Sequence, residues 1–273
     1  MTKPNAWSLH VGLNAVDPHH YAGWEGILAG CENDAKSMQQ VAATAGFSTH
    51  ILLTRDAVAA AVLSCLRDYV SLAEAGDIIM FTNSSHGGQI FDENGDEADG
   101  MDETICMFDR ELVDDELAAV WAKAKPGVRI LMVSDSCHSG TVVRMMPVPV
   151  RGDYRSKEMH PAVAVMTYEA NKDVYDPILR DPALRESKGQ VKANVLSIGA
   201  CQDNQLSYDG DVNGLFTEKL LKVWSDGQFT GTYGTLIPRV RRLMPPDQSP
   251  EFRYVGPNDA GLTAFVAQRP FKV

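Results

Sequence analysis

The chain has 273 residues, 44% hydrophobic and 22% charged, a composition ordinary for a globular protein and sufficient for one large domain or two small ones. Its formal net charge of −11 argues against a nucleic-acid surface, which needs clustered Lys and Arg, and leaves basic peptides open as substrates. No stretch reaches the roughly 18 consecutive apolar residues of a membrane span, and the N-terminus lacks an apolar leader, so the sequence predicts a cytoplasmic protein without nucleic-acid or membrane partners.

Ser8 to Leu13 reads as a first strand. A helix is expected from about Asn33 to Ala45, with Ala35, Met38, Ala42 and Ala45 on one face and Gly46 as its stop. His50 to Leu53 gives a short second strand. Val58, Val62, Cys65 and Tyr69 recur at helical spacing. Asp77 to Thr82 contains Ile-Ile-Met-Phe, and Arg129 to Ser134 contains Ile-Leu-Met-Val; apolar runs of this kind mark strands buried on both faces. Leu117, Val120, Trp121 and Ala124 mark a helix between them. Thr141 to Lys192, rich in Pro, Lys and Arg, reads as a long surface loop. Regular structure resumes with a strand at Ala193 to Ala200 and helices near Leu215 to Trp224 and Tyr233 to Leu243. Strands alternating with helices predict a parallel α/β sheet covered on both faces. The expectation is one domain over residues 1–273, with a linker at about 141–192.

In open α/β sheets ligands bind beyond the carboxyl ends of the strands. Two buried strands here end in reactive groups, Ser84-Ser85-His86-Gly87 and Asp135-Ser136-Cys137-His138-Ser139-Gly140. If these strands are neighbours, His86 and Cys137 meet at the end of the sheet. A thiol attacks a carbonyl only as thiolate, and a nearby imidazole can take its proton and return it to the leaving amine. Gly87, without a side chain, lets its N–H approach a carbonyl oxygen, and with the Cys137 N–H it would form an oxyanion hole. His138, the rival base, points away from its neighbour on an extended segment. The other four cysteines, Cys31, Cys65, Cys106 and Cys201, form no CxxC pair and read as reduced thiols. Taken singly, a Cys or His at a strand end is more often structural; it is the pair, 51 positions apart, that points to catalysis.

Those two strings resemble the signature motifs of metacaspases and the bacterial orthocaspases. Gly30-Cys31-Glu32-Asn33-Asp34-Ala35, the acidic segments around Asp96–Thr104 and Asp114–Leu117, and Cys201-Gln202-Asp203-Asn204-Gln205 are similar to further family segments. The resemblance implies a caspase-like three-layer α/β/α sandwich with a mostly parallel central sheet. It implies a cysteine endopeptidase cutting after Arg or Lys, and a monomer. It also implies a basic-specific pocket of Asp34 and Asp135, walled by Cys31 and Ser84. Carboxylates at the base of a narrow pocket favour a guanidinium or ammonium, although Asp34 read alone suits the first turn of a helix. Many metacaspases bind an activating Ca²⁺ through acids that match Asp102, Asp114 and Asp115. Seven of the twelve residues from Asp92 to Glu103 are acidic, but Glu97 stands where an EF-hand turn needs Gly. Arg144, Arg151, Arg155, Lys157, Lys172, Arg180, Arg185 and Lys188 are expected as exposed linker sites for self-cleavage. The competing readings are a silent caspase-like peptide-binding module and a calcium-responsive interaction module; legumain-like peptidases also pair His-Gly with a later Cys.

Overall fold

The computed structural model describes residues 4–91, 100–137, 154–202, 205–257 and 260–273. The strands are β1 (Ala6–Gly12), β2 (Ser48–Leu53), β3 (Ile78–Ser84), β4 (Gly87–Phe91), β5 (Met101–Cys106), β6 (Glu111–Val113), β7 (Arg129–Asp135), β8 (Arg155–Ser156), β9 (Asn194–Gly199), β10 (Tyr208–Asp209) and β11 (Glu251–Val255). The α-helices are α1 (Cys31–Ala45), α2 (Ala59–Leu72), α3 (Asp114–Trp121), α4 (Pro161–Ala170), α5 (Lys172–Leu179), α6 (Pro182–Arg185), α7 (Leu215–Trp224), α8 (Tyr233–Arg241) and α9 (Ala260–Val266).

Six strands form the central sheet in the order β11-β9-β7-β3-β1-β2, parallel except for β11, which runs antiparallel to β9. All seven residues of β3 are buried, and alternation sorts them between two cores. Ile79 and Phe81 join Leu9, Val11 and Ile130 under Val62, Leu66 and Val70 of α2 and Leu117 and Val120 of α3. Ile78 and Met80 join Leu131, Val133, Leu196 and Ile198 under Met38 of α1, Phe216 and Leu220 of α7 and Ile237 of α8. Two apolar faces, each roofed by helices, give the expected three-layer sandwich. Helix α1 ends as its sequence predicts, at Gly46 with φ 97°, whose N–H bonds the Ala42 and Ala43 carbonyls. No described helix is long and apolar enough to cross a membrane.

The stretch expected to be a surface loop is largely ordered structure. After residues 138–153, which lie outside the described part, it contains β8, α4, α5 and α6, and it buries Lys157, Met159, Thr167 and Tyr175. Two prolines there start helices instead of preventing them: Pro161 and Pro182 sit in the first turns of α4 and α6, where a missing N–H costs nothing.

A second antiparallel sheet, β4-β5-β6, leaves the end of β3 and was not anticipated. It buries Glu111 completely. Thr104 Oγ1 donates to Glu111 Oε1 at 2.6 Å, and Oε2 has no partner among the described residues. Burial raises this carboxyl from 4.5 to about 7. The folded state therefore holds the proton more tightly than the unfolded chain. Its contribution to stability is full below pH 4.5 and is lost as pH rises through 7. Glu111→Gln is expected to be more stable than the wild type at pH 8 by about 3 kcal/mol at most, the gap closing towards pH 4.5 in denaturant melts.

Candidate functional site

Strands β3 and β7 are parallel neighbours, in register from Ile78↔Arg129 to Ser84↔Asp135. His86 and Cys137 each lie two residues beyond that last pair, so the sheet delivers both to one place. Gly87 packs directly on the Cys137 backbone: a Cβ there would collide with the Cys137 carbonyl. Only glycine fits, and this contact fixes how the two strand ends meet.

His86 Nε2 lies 3.2 Å from the Gly26 carbonyl, which can only accept, so the neutral ring carries its proton on Nε2 and its lone pair on Nδ1. Nδ1 is buried and has no hydrogen-bond partner among the described residues. Trp24 packs edge-on against the ring at 4.6 Å. Burial lowers the imidazole to about 3, although the Gly26, Lys157 and Glu158 carbonyls pull the other way.

The Cys137 sulfur accepts the Ser207 N–H at 3.0 Å and lies 4.0 Å from Ser156 Oγ. Among the described residues no hydrogen bond joins it to His86. Burial, together with Cys201, pushes the thiol well above its ordinary value. With residues 155–159 in place the pair is therefore a neutral thiol and a neutral imidazole.

Beside them is an acidic pocket, and a lysine fills it. Lys157 is fully buried, correcting the expectation that it is exposed. Its Nζ lies 3.2 Å from Asp34 Oδ2, 3.1 Å from Asp135 Oδ1, 4.0 Å from Asp209 Oδ1 and 2.9 Å from Ser84 Oγ. Burial works to lower its pKa, and the carboxylates of Asp135, Asp34 and Asp209 with the Cys31 thiol more than reverse this, so it stays charged. Each carboxylate is fixed from behind. Asp34, in the first turn of α1, accepts from Ser84 Oγ, Asn213 Nδ2 and Gly214 N. Asp135, at the end of β7, accepts from Ser207 Oγ and from Thr217 N and Oγ1. Asp209 accepts from Ala29 N and Gly30 N, and the Cys31 thiol reaches it at 3.8 Å. The structure thus brings together Asp34, Asp135, Cys31 and Ser84. It adds Asp209, Asn213 and Thr217, which follow β9 and carry no sequence signal beyond the similarity of the segment starting at Cys201.

Lys157 arrives on an extended strap, Arg155–Met159. Ser156 and Arg155 pair antiparallel with Tyr208 and Asp209, and Lys157 N donates to Ser207 O at 2.9 Å. Gly87 N donates to the Lys157 carbonyl at 2.9 Å, and Met159 N donates to Gly87 O at 2.8 Å. The Lys157–Glu158 peptide is thereby held against Gly87 and His86. Edge pairing of this kind is how an extended peptide docks on a strand.

Asp102, Asp114 and Asp115 also come together, one oxygen of each lying within 4.8 Å of the others. The Lys188 ammonium lies 3.3 Å from Asp114 and 3.1 Å from Asp115. His138, Ser139, Gly140, Arg144, Arg151 and the acidic residues 92–99 lie outside the described part.

A family model described as the caspase domain matches residues 15–260. Metacaspase-1 of Schizosaccharomyces pombe is 30% identical over 251 residues, 78% of this chain and 57% of that protein. Metacaspase-1 of Mycosarcoma maydis is 29% identical over 244 residues, 77% of this chain and 59% of the relative. The chain thus spans somewhat over half the length of these relatives. A crystal structure of a Geobacter sulfurreducens protein, 45% identical, matches with a TM-score of 0.88 over 99% of both chains. Caspase-1 from Spodoptera frugiperda, 11% identical, shares the fold at a TM-score of 0.54 over 92% of this chain and 86% of its own. With the sheet, the paired strand ends and this family match together, the chain belongs to the caspase-domain family and is similar to metacaspases.

Proposed function

We propose that the protein is a monomeric cysteine endopeptidase that cuts peptide bonds after Lys or Arg. The observation that carries this is Lys157, a basic side chain held by three carboxylates with its carbonyl on the Gly87 N–H, as a substrate would be. In this reading Cys137 attacks the carbonyl carbon while its proton passes to His86 Nδ1, the nitrogen left free by the Gly26 contact. Gly87 N–H stabilises the oxyanion. His86 then protonates the leaving amine, and a water molecule hydrolyses the thioester, regenerating the thiol. The five free thiols suit a reducing compartment such as the cytoplasm.

The chain is its own first test substrate. Mass spectrometry of incubated protein is expected to find a cut between Lys157 and Glu158 in the wild type and an intact chain in Cys137→Ala. The same cut in Cys137→Ala would contradict the reading. A silent peptide-binding module would leave both chains whole and an added lysyl peptide uncut.

A second reading is carried by the Lys188 ammonium. A cation lodged on the carboxylates of Asp114 and Asp115, beside Asp102, marks a place that suits positive charge, and hard oxygen donors suit Ca²⁺. Bound there, Ca²⁺ would supply a charge tie between β5 and α3. Lys188 then competes with the ion, so Lys188→Met is expected to tighten Ca²⁺ binding about tenfold in calorimetry. An unchanged or weaker affinity would count against it.

A further inference from the structure

We propose that the site also selects the second residue after the cut bond, taking a long, flexible apolar side chain there. The inference rests on reading Lys157 as the residue before the cut. Gly87 grips the strap on both sides of that bond, through its N–H to Lys157 O at 2.9 Å and its carbonyl to Met159 N at 2.8 Å. These two bonds fix the register, so Met159 stands two places past Lys157 wherever a peptide docks in the same way.

The Met159 side chain is 1% exposed. It belongs to one buried apolar cluster with Val16, Tyr21 and Cys106, which Trp24 borders. The floor is Gly88: a Cβ there would lie 2.6 Å from Met159 Cε. An unbranched thioether suits such a narrow, irregular slot. The Tyr21 hydroxyl is spent on the Met107 carbonyl at 2.8 Å, so the tyrosine offers its ring to the slot. The slot is closed to water and, among the described residues, offers no cation, which makes an acidic side chain unwelcome. Val16, Tyr21, Cys106, Trp24 and Gly88 all precede the strap in the chain, so they remain when a substrate in trans replaces it. Ala164 in α4, after the strap, closes the slot only for Met159 itself.

The test is a peptide panel on the full chain, with sequence Ser-Lys-Glu-X and X as Met, Leu, Phe, Gly or Asp, plus a matched set with Ala in place of Lys. The strap competes with every peptide alike, so the ranking by kcat/KM is preserved. Met and Leu are expected to exceed Gly about tenfold and Asp about a hundredfold. Rates that require Lys but ignore X would overturn the slot and leave basic selectivity standing. Rates that follow X but accept Ala equally would overturn basic selectivity and keep the slot. No cutting anywhere in the panel would overturn both. Val16→Ala, which widens the slot, is expected to move the preference from Met towards Phe; an unchanged ranking would count against this wall.

Discussion

Lys157→Glu is expected to expel residues 155–159 from the acidic pocket while the central sheet stays folded. The buried ammonium is what lets Asp34, Asp135 and Asp209 share one pocket. Removing one partner of a buried ion pair costs about 3–5 kcal/mol, and a fourth carboxylate adds repulsion. The chain can escape this cost because, apart from the ammonium, only a few backbone hydrogen bonds to Ser207, Tyr208 and Gly87 hold the strap, and water can enter where it leaves. Hydrogen exchange in a Cys137→Ala background reads the result. The amides of residue 157 and Met159 are expected to lose protection by more than a hundredfold, and those of β3 and β7 to keep theirs. Equal loss across the sheet would make Lys157 a structural core residue, and unchanged protection would deny that the ammonium holds the strap.

Asp135→Asn is expected to lower kcat/KM for a lysyl peptide by about two to three orders of magnitude, and to lower the melting temperature of the uncut chain, whose Lys157 loses a buried partner. Asp135 touches the Lys157 ammonium at 3.1 Å through Oδ1, while Oδ2 accepts both the N–H and the hydroxyl of Thr217. An amide removes the charge, and with its oxygen towards the substrate it turns an NH₂ onto the Thr217 donors. With its oxygen towards Thr217, it presents that NH₂ to the incoming ammonium instead. Burial raises Asp34 to about 6 despite the pull of Lys157. Asp34→Asn is therefore the milder change, and its effect shrinks below pH 6, where the wild type is itself protonated. Steady-state kinetics on both variants check the order.

The central sheet was legible because Ile-Ile-Met-Phe and Ile-Leu-Met-Val have no polar position to face water, which leaves only a doubly covered strand. From that followed the meeting of His86 and Cys137, since parallel neighbours end on the same side. Asp34 was legible through family likeness alone; its place in the first turn of a helix has a local explanation that needs no pocket. Lys157 was misread as exposed because lysine burial has no local signature. It depends on Asp34, Asp135 and Asp209, which are far apart in sequence and come together only when α1, β7 and β10 pack. Helix α4 is hidden in the sequence because Pro-Ala-Val-Ala-Val-Met is apolar without a clear 3.6-residue rhythm, and its leading proline suits a loop as well as a helix start. The β4-β5-β6 sheet escaped because its strands are short and two of its glycines serve close packing, a role that reads as a turn.

The most direct measurement is covalent capture. A short peptide ending in lysine with an electrophilic ketone in place of the scissile bond is mixed with the protein, and the adduct is mapped by mass spectrometry. One label per chain on Cys137 is predicted, slowed strongly by His86→Ala and absent with the aspartyl analogue. Labelling of another cysteine, or equal labelling by the aspartyl analogue, would contradict an acidic pocket that presents basic residues to Cys137.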